Sequence, residues 1–188
     1  INEKDVKKAL NTLHERFFED NTKQLNLFVM GVGNVGEKFI DQINQQKKYL
    51  KENLKINVRV IALSNSHKMI FDEDGMNLKD WKSLIENGEN ANVSKFIAKA
   101  KNLNLRNSIF VDITANHDIA SIYDQFLKQN IAVVTRNKIA CSSQFENYKY
   151  LKFIQNVNRS TKRQYCQTRV IGCPFVQRYA ISISFFRD

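Results

Sequence analysis

An apolar run that meets three closely spaced glycines restricts what this chain can fold into. Residues 25–40 read LNLFVMGVGNVGEKFI, and Gly31, Gly33 and Gly36 follow the run directly. The run is too short for a buried helix and fits a buried strand, whereas apolar side chains recur at helical spacing over residues 34–51. This order predicts a strand, a tight glycine loop and a helix.

The same alternation continues along the chain. Further strands are predicted at residues 57–63, 108–114 and 131–135, and helices at about 78–87, 93–103 and 117–129. Short strands that alternate with helices and need cover on both faces indicate an α/β fold with a doubly wound, parallel, Rossmann-like sheet. In the helical pattern at residues 78–87, we expect Trp81 and Leu84 to point inward.

Length and composition exclude several classes of protein. The 188 residues allow one domain with a proper core. No apolar run approaches the ~18 residues of a membrane span, and the first residues are charged and helical in pattern, unlike a signal peptide. The three cysteines form no C-x-x-C pair, so neither a metal site nor a disulfide framework is predicted. A cytoplasmic protein is expected.

The net charge of +10 raises the question of nucleic-acid binding. The excess is uneven, because residues 153–188 alone carry six Lys and Arg against one acid. In the rest of the chain lysines are interspersed with acids, which is typical of a solvated surface. Since a basic total is not a recognition motif, nucleic-acid binding is not predicted as the main function.

The glycines match the pattern G-x-G-x-x-G. The first permits a tight turn, the second lets the backbone approach a pyrophosphate, and the third brings the helix close to the strand. The helix N-terminus then offers unpaired N–H groups and a partial positive charge. Such glycines also occur in ordinary turns, so a turn without a ligand is the alternative. The strand before the loop and the helix after it favour dinucleotide binding.

The end of the second predicted strand bears on the choice of cofactor. An NAD site usually carries Asp or Glu there to hold the ribose 2′-hydroxyl. Here residues 63–68 read LSNSHK, with no acid before Asp72. Lys68 would attract a 2′-phosphate, although an ordinary surface lysine explains it equally well. The pattern favours NADP, with NAD as the alternative.

Four segments of residues 24–152 occur in an order that is more specific than any one of them. They read FVMGVGNVGEKFIDQI, VRVIALSNSHKMIFDEDGMNLKDW, IFVDITANHDIASIYDQFL and VVTRNKIACSS. Together they resemble homoserine dehydrogenase, in particular the dehydrogenase half of bifunctional aspartokinase/homoserine dehydrogenases. A generic dinucleotide-binding protein has no reason to share LSNS, VDIT and T-x-N-K.

The resemblance implies roles for individual residues. The pyrophosphate loop would comprise Gly31, Gly33, Asn34, Val35 and Gly36. Asn65 and Ser66 would meet the adenosine ribose and its phosphate, and Thr114 would line the nicotinamide side. Lys138 matches the family's lysine between cofactor and substrate, where an ammonium stabilises the negative charge that builds on an aldehyde oxygen during reduction. Arg136 stands where the family usually has Pro or Ala, and a solvated loop lysine is the alternative for Lys138.

The resemblance also divides the chain. Residues 1–23 look like the end of a preceding regulatory region, residues 24–152 form the NAD(P)-binding Rossmann domain, and residues 153–188 form an atypical tail. The tail lacks the glycine-rich stretch with which the family begins its substrate and dimerisation domain. A frameshift near residue 153 is one explanation, and we expect an irregularly packed tail. The chain is thus expected to be a fragment truncated before that domain.

The function implied is that of a domain from an enzyme that reduces aspartate semialdehyde to homoserine with NADPH or NADH, in threonine and methionine biosynthesis. In the full-length enzyme, the expected partners are this small-molecule substrate and further copies of the chain, with no nucleic acid, membrane or metal. The fragment alone is expected to bind cofactor without turnover. The alternative is a non-catalytic dinucleotide-sensing module, in which Lys138 has no chemical role.

Overall fold

The helices and strands are arranged around one sheet. The computed structural model describes residues 22–137, 149–154 and 170–172, together with the single residues 6, 9, 10, 13, 139 and 146. In chain order the elements are β1 (Lys23–Met30), α1 (Asn34–Leu54), β2 (Ile56–Ser64), β3 (Lys68–Phe71), α2 (Trp81–Glu86), β4 (Glu89–Asn90), α3 (Val93–Leu103), β5 (Ser108–Asp112), α4 (His117–Ser121), α5 (Tyr123–Leu127), β6 (Ala132–Thr135) and β7 (Val170–Gly172).

Among the described residues the sheet has seven strands in the order β4-β3-β2-β1-β5-β6-β7. Five neighbouring strands pair in parallel, in the order β2, β1, β5, β6 and β7. β3 and β4 pair antiparallel at one edge. The α/β, Rossmann-like prediction is confirmed, but the sheet is mixed rather than wholly parallel.

The chain reverses between β2 and β3 at a turn that Asn65 closes. Its N–H donates to the Lys68 carbonyl at 2.9 Å. Its side-chain oxygen accepts the N–H groups of His67 at 2.8 Å and of Lys68 at 2.6 Å. An asparagine bonded in this way builds a tight turn, and the turn produces the antiparallel edge.

Apolar side chains cover both faces of the sheet, which confirms the doubly wound arrangement. On one face α3, α4 and α5 pack over Phe28, Phe110 and Val133. On the other face α1 and α2 pack over the remaining strand positions, such as Val29 and Val111. Residues of one strand alternate between the two faces, so a run that is buried throughout, such as 25–30, marks a central strand.

Two predicted helices differ from the observed ones. The helix predicted at 78–87 begins only at Trp81, because Asn77 and Asp80 form a turn in which the Asn77 amide donates to the Asp80 carboxylate at 2.7 Å. Trp81 is buried and Leu84 half-buried, as expected. The pattern at 117–129 is split into α4 and α5, since Ile122 lies outside helical geometry with φ −97° and ψ 2°.

The predictions for both ends of the chain fall mostly outside the described residues. Of residues 1–21, the structure describes only four single positions. Of the tail, it describes residues 153–154 in a helical stretch and Val170–Gly172, which pair in parallel with β6. The proposed domain limits and the frameshift therefore stay predictions.

The strand order fixes where a ligand would bind. β1 is flanked by β2 on one side and β5 on the other, so the connections leave β1 in opposite directions. In an open α/β sheet, this change of direction leaves a crevice outside the carboxyl ends of the strands. The glycine loop follows β1 at that point.

Candidate functional site

Gly31 allows the chain to turn sharply out of β1. Its φ is +102°, a conformation that L side chains rarely adopt, and a Cβ there would meet the backbone of Ile113 and Thr114 at 2.8 Å. The N–H groups of Gly31 and Val32 donate to the Ser64 carbonyl at 2.8 and 3.3 Å. The loop is thereby held between the ends of β2 and β5.

The other two glycines serve opposite purposes. A Cβ on Gly36 would lie 2.3 Å from the Gly31 carbonyl oxygen, so only glycine lets α1 start this close to β1. A Cβ on Gly33 would meet no atom within 4 Å. Gly33 is the N-cap of α1 and offers no side-chain hydrogen bond to the helix. Open space therefore faces the uncapped start of α1, as the pattern G-x-G-x-x-G predicts for a phosphate site.

The loop forms the floor of a cleft of about 830 Å³. Its walls come from the ends of β1, β2, β5 and β6 and from the first residues of α1 and α3. Among the described residues that line it are one arginine, Arg136, and one histidine, His67, but no carboxylate. This composition suits an anionic ligand of the size of a nucleotide.

The carboxylate nearest to the loop in sequence, Glu37, is paired. It lies in the first turn of α1, and Lys82 donates to it at 2.6 Å. This hydrogen bond and the charge of Lys82 lower the pKa of Glu37, and the same bond and the charge of Glu37 raise the pKa of Lys82. Because Glu37 is no part of the cleft lining, its negative charge is neutralised away from the cleft.

At the end of β2 the structure separates residues that the sequence groups together. Asn65, Ser66 and His67 line the cleft. Lys68 does not, and its ammonium donates to the Gly88 carbonyl at 3.2 Å. Lys68 is thus directed toward the β3–β4 edge and away from the position predicted for a 2′-phosphate.

At the ends of β5 and β6 a buried carboxylate organises the backbone. Asp112 is fully buried, and its Oδ1 accepts the Thr114 N–H at 2.7 Å. Its backbone carbonyl accepts the Arg136 N–H at 2.9 Å. Thr114 and Arg136 both line the cleft, together with Asn116. A Cβ on Gly31 would lie 2.8 Å from the Thr114 nitrogen, so Thr114 adjoins the glycine loop, and its place on the nicotinamide side stays a prediction.

The structure does not describe Lys138, so its catalytic role stays a prediction. Sequence reasoning did not select His67, Asn92, Asn116 or Arg136, all of which line the cleft. From the sequence, Arg136 stands out only as a departure from the family pattern. Asn92 could have been found from its place before α3, where its side chain accepts the Lys95 N–H at 2.9 Å as an N-cap.

The described residues also bear on whether the chain holds a metal or crosses a membrane. Within the described ranges, no three His, Cys, Asp or Glu side chains come together as a metal site would require. None of the helices in the same ranges is long and apolar enough to cross a membrane.

Known proteins match this chain over the segments that build the cleft. The family described as homoserine dehydrogenase, NAD-binding domain, matches residues 31–165. Bifunctional aspartokinase/homoserine dehydrogenase 1 of Arabidopsis thaliana, named as chloroplastic, is 38% identical over 174 residues, which are 92% of this chain and 19% of that protein. The bifunctional aspartokinase/homoserine dehydrogenase of Haemophilus influenzae is 36% identical over 172 residues, or 90% of this chain and 20% of that protein.

The fold is also found in a solved structure. A hyperthermophilic archaeal homoserine dehydrogenase, determined in complex with NADPH, matches with a TM-score of 0.56 at 21% identity. The match covers 72% of this chain and 42% of that chain. At this identity the likeness supports the fold alone.

The extent of these matches sets what they establish. The chain spans about a fifth of the length of the curated relatives it matches. The family match begins at Gly31 and takes in the ends of β2, β5 and β6, the strands whose carboxyl ends line the cleft. The chain therefore belongs to the family of homoserine dehydrogenase NAD-binding domains.

Proposed function

We propose that this chain binds NADP(H) in the cleft, with the pyrophosphate held by the loop from Gly31 to Gly36. The observation that carries the proposal is the open space at Gly33. A Cβ there would touch nothing, whereas Gly31 and Gly36 are tightly enclosed. A backbone that is exposed at one glycine and packed at the two others fits close approach by a phosphate.

The ends of the cleft support a preference for the phosphorylated cofactor. With no carboxylate among the described lining residues, nothing there would repel a 2′-phosphate or hold a ribose diol in its place. Asn65, Ser66 and His67 offer amide, hydroxyl and imidazole donors at the end of β2. We assign them the role that the sequence suggested for Lys68, whose ammonium is bonded to Gly88.

The proposed activity of the whole enzyme is the reduction of aspartate semialdehyde to homoserine, which the resemblance to homoserine dehydrogenases implies. The relatives themselves are named bifunctional aspartokinase/homoserine dehydrogenases. When bound, the cofactor would supply the hydride. Thr114 and Arg136 would line its nicotinamide side, and Lys138 would stabilise the developing alkoxide and assist the transfer of a proton to its oxygen. Assembly into a homo-oligomer and a cytoplasmic location stay predictions, and some curated relatives are named as chloroplastic.

A cofactor titration of the purified 188-residue chain tests this proposal. We expect saturable binding of NADPH, weaker binding of NADH, and no oxidation of NADPH by aspartate semialdehyde. Ser66→Asp would place a carboxylate at the end of β2. It should lower the affinity for NADPH about tenfold and change the affinity for NADH much less. Lys68→Gln is the matched control and should leave NADPH affinity unchanged within about twofold. A folded chain that binds neither nucleotide would contradict the proposal, and measurable turnover would contradict the expected inactivity.

A further inference from the structure

A buried polar cluster lies directly beneath the β5 and β6 end of the cleft. Besides the bond from Thr114, the Asp112 carboxylate accepts at Oδ2 the Tyr123 hydroxyl and the Asn137 amide, the latter at 3.2 Å. Tyr123 also shares a hydrogen bond of 2.8 Å with the Thr135 hydroxyl. These side chains are almost wholly excluded from solvent, with exposed fractions of 0% for Asp112 and Tyr123 and 3% for Asn137.

Asn137 makes the connections that join the two loops. Its amide nitrogen donates to Asp112 and also to the Asn116 carbonyl at 2.7 Å. Its side-chain oxygen accepts the Ile139 N–H at 3.1 Å. Its own N–H donates to the Thr135 hydroxyl oxygen at 2.8 Å. One side chain thus ties the loop after β5 to the loop after β6.

We infer that Asn137 is a positioning residue for the nicotinamide half of the cofactor. It acts by fixing the loops that carry Thr114, Asn116 and Arg136, which line the cleft, and the backbone on both sides of Lys138. This inference rests on the proposed function, since it concerns how that same cleft selects one half of its ligand.

The physical reason is the number of bonds that depend on one side chain. Alanine at position 137 removes both donors of the amide and its acceptor, so the Asn116 carbonyl, the Ile139 N–H and one Asp112 oxygen each lose a partner. Buried polar groups that lose partners admit water or shift until they find others. The β2 end of the cleft shares none of these bonds, so the adenosine half should be held as before.

The experiment compares two ligands on the purified chain. NADPH has both halves, whereas adenosine 2′,5′-bisphosphate has only the adenosine half with its 2′-phosphate. We expect Asn137→Ala to lower NADPH affinity about tenfold and to leave the affinity for adenosine 2′,5′-bisphosphate within about twofold. The fluorescence of the reduced nicotinamide, which changes when its ring is held, should report the same loss. Tyr123→Phe keeps the ring and removes one donor to Asp112, and should show a smaller effect in the same direction.

Asn26→Ala is the matched control. Asn26 is also buried, with 2% exposed, and its side chain donates to the Arg106 carbonyl at 2.6 Å and accepts from Arg59 at 2.8 Å. It sits within β1, away from the cleft lining. We expect Asn26→Ala to lose about as much stability as Asn137→Ala, with no change in the ratio of its affinities for NADPH and adenosine 2′,5′-bisphosphate.

Three results would overturn the inference. They are an equal loss of both affinities in Asn137→Ala, no loss of either in the folded variant, and equal binding of the two ligands by the unsubstituted chain. If the unsubstituted chain bound neither ligand, the proposed function itself would fail.

Discussion

Replacing Gly33 by alanine should weaken cofactor binding about ten- to hundredfold without unfolding the protein. The added methyl meets no atom within 4 Å, and the φ of −86° is accessible to any L residue. Alanine is a poorer N-cap than glycine by about 0.5–1 kcal/mol. Against this, alanine reduces the conformational freedom of the unfolded chain, which is worth about 0.4–1 kcal/mol. The free energy of unfolding should therefore change by less than about 0.5 kcal/mol.

Binding should respond very differently. The methyl group occupies the space through which a phosphate reaches the N–H groups at the start of α1. Hydrogen bonds to a charged group contribute about 1.5–3 kcal/mol each, so losing one of them weakens binding about ten- to hundredfold.

Gly36→Ala is the matched comparison. Its Cβ would lie 2.3 Å from the Gly31 carbonyl oxygen, so α1 would have to move away from β1. Overpacking of this kind costs about 1–3 kcal/mol, only partly offset by the helix propensity of alanine, about 1 kcal/mol better than glycine. This variant should lose stability as well as binding.

Urea unfolding and NADPH titration together check the pair. The single tryptophan, Trp81, is only 6% exposed and belongs to the buried cluster that α1 and α2 form on one face of the sheet, so its emission reports unfolding of that core. Wild-type affinity in Gly33→Ala would refute the argument that the loop backbone meets the phosphates. Destabilisation of Gly33→Ala as large as that of Gly36→Ala would refute the argument from open space.

Two other predictions concern Lys138 and the ion pair between Lys82 and Glu37. In a longer chain that includes the substrate-binding domain, Lys138→Ala should abolish turnover and keep NADPH affinity within about threefold. An unsubstituted longer chain that binds NADPH but shows no turnover would favour the non-catalytic sensing module. Lys82 lowers the pKa of Glu37 below its usual 4.5, so their ion pair stabilises the fold above that pH, and this stabilisation is lost as acid protonates Glu37. In Lys82→Gln, an NMR titration should show a higher pKa for Glu37. An unchanged pKa would show that the pair does not form in solution.

Local patterns were enough to predict the centre of the fold and the floor of the site. The run from Leu25 to Met30 is buried throughout, and a strand without an exposed face has to lie inside a sheet that helices cover on both sides. The glycine positions follow from the same local logic. Gly31 needs a positive φ and Gly36 needs close contact, and both needs arise within six residues of chain.

The edge of the sheet was not predictable in this way. β3 and β4 are four and two residues long, too short for any periodicity. Their pairing depends on the turn at Asn65 and on a hydrogen bond of 2.8 Å from the Ala91 N–H to the His67 carbonyl, across more than twenty residues. The direction of the Lys68 side chain follows from that pairing. Because Lys68 follows closely after the end of β2, the sequence suggested that it contacts a 2′-phosphate. The hairpin instead directs its ammonium to the Gly88 carbonyl.

The polar cluster under the cleft was missed for a related reason. Tyr123 lies eleven residues from Asp112 and Asn137 twenty-five. The pairing of β5 with β6 brings Asn137 to Asp112, and the packing of α5 on the sheet brings Tyr123 there. Within VDIT and TRNK, the resemblance drew attention to Thr114 and Lys138, the residues that would face the ligand. Asp112 and Asn137 are the buried members of the same two motifs, and they hold the backbone in place.

This division of roles also explains why the net charge of +10 says little about the ligand. Half of the excess lies in residues 153–188, and only Arg136 and His67 among the described lining residues could carry positive charge. Salt at physiological strength screens exposed charges beyond about 8 Å, so a diffuse basic surface contributes little to holding a nucleotide. Backbone N–H groups at the start of α1 are fixed, directed and unscreened at contact distance. Under the proposed function, the geometry of the three glycines would therefore select the phosphate, and the two ends of the cleft would decide which nucleotide carries it.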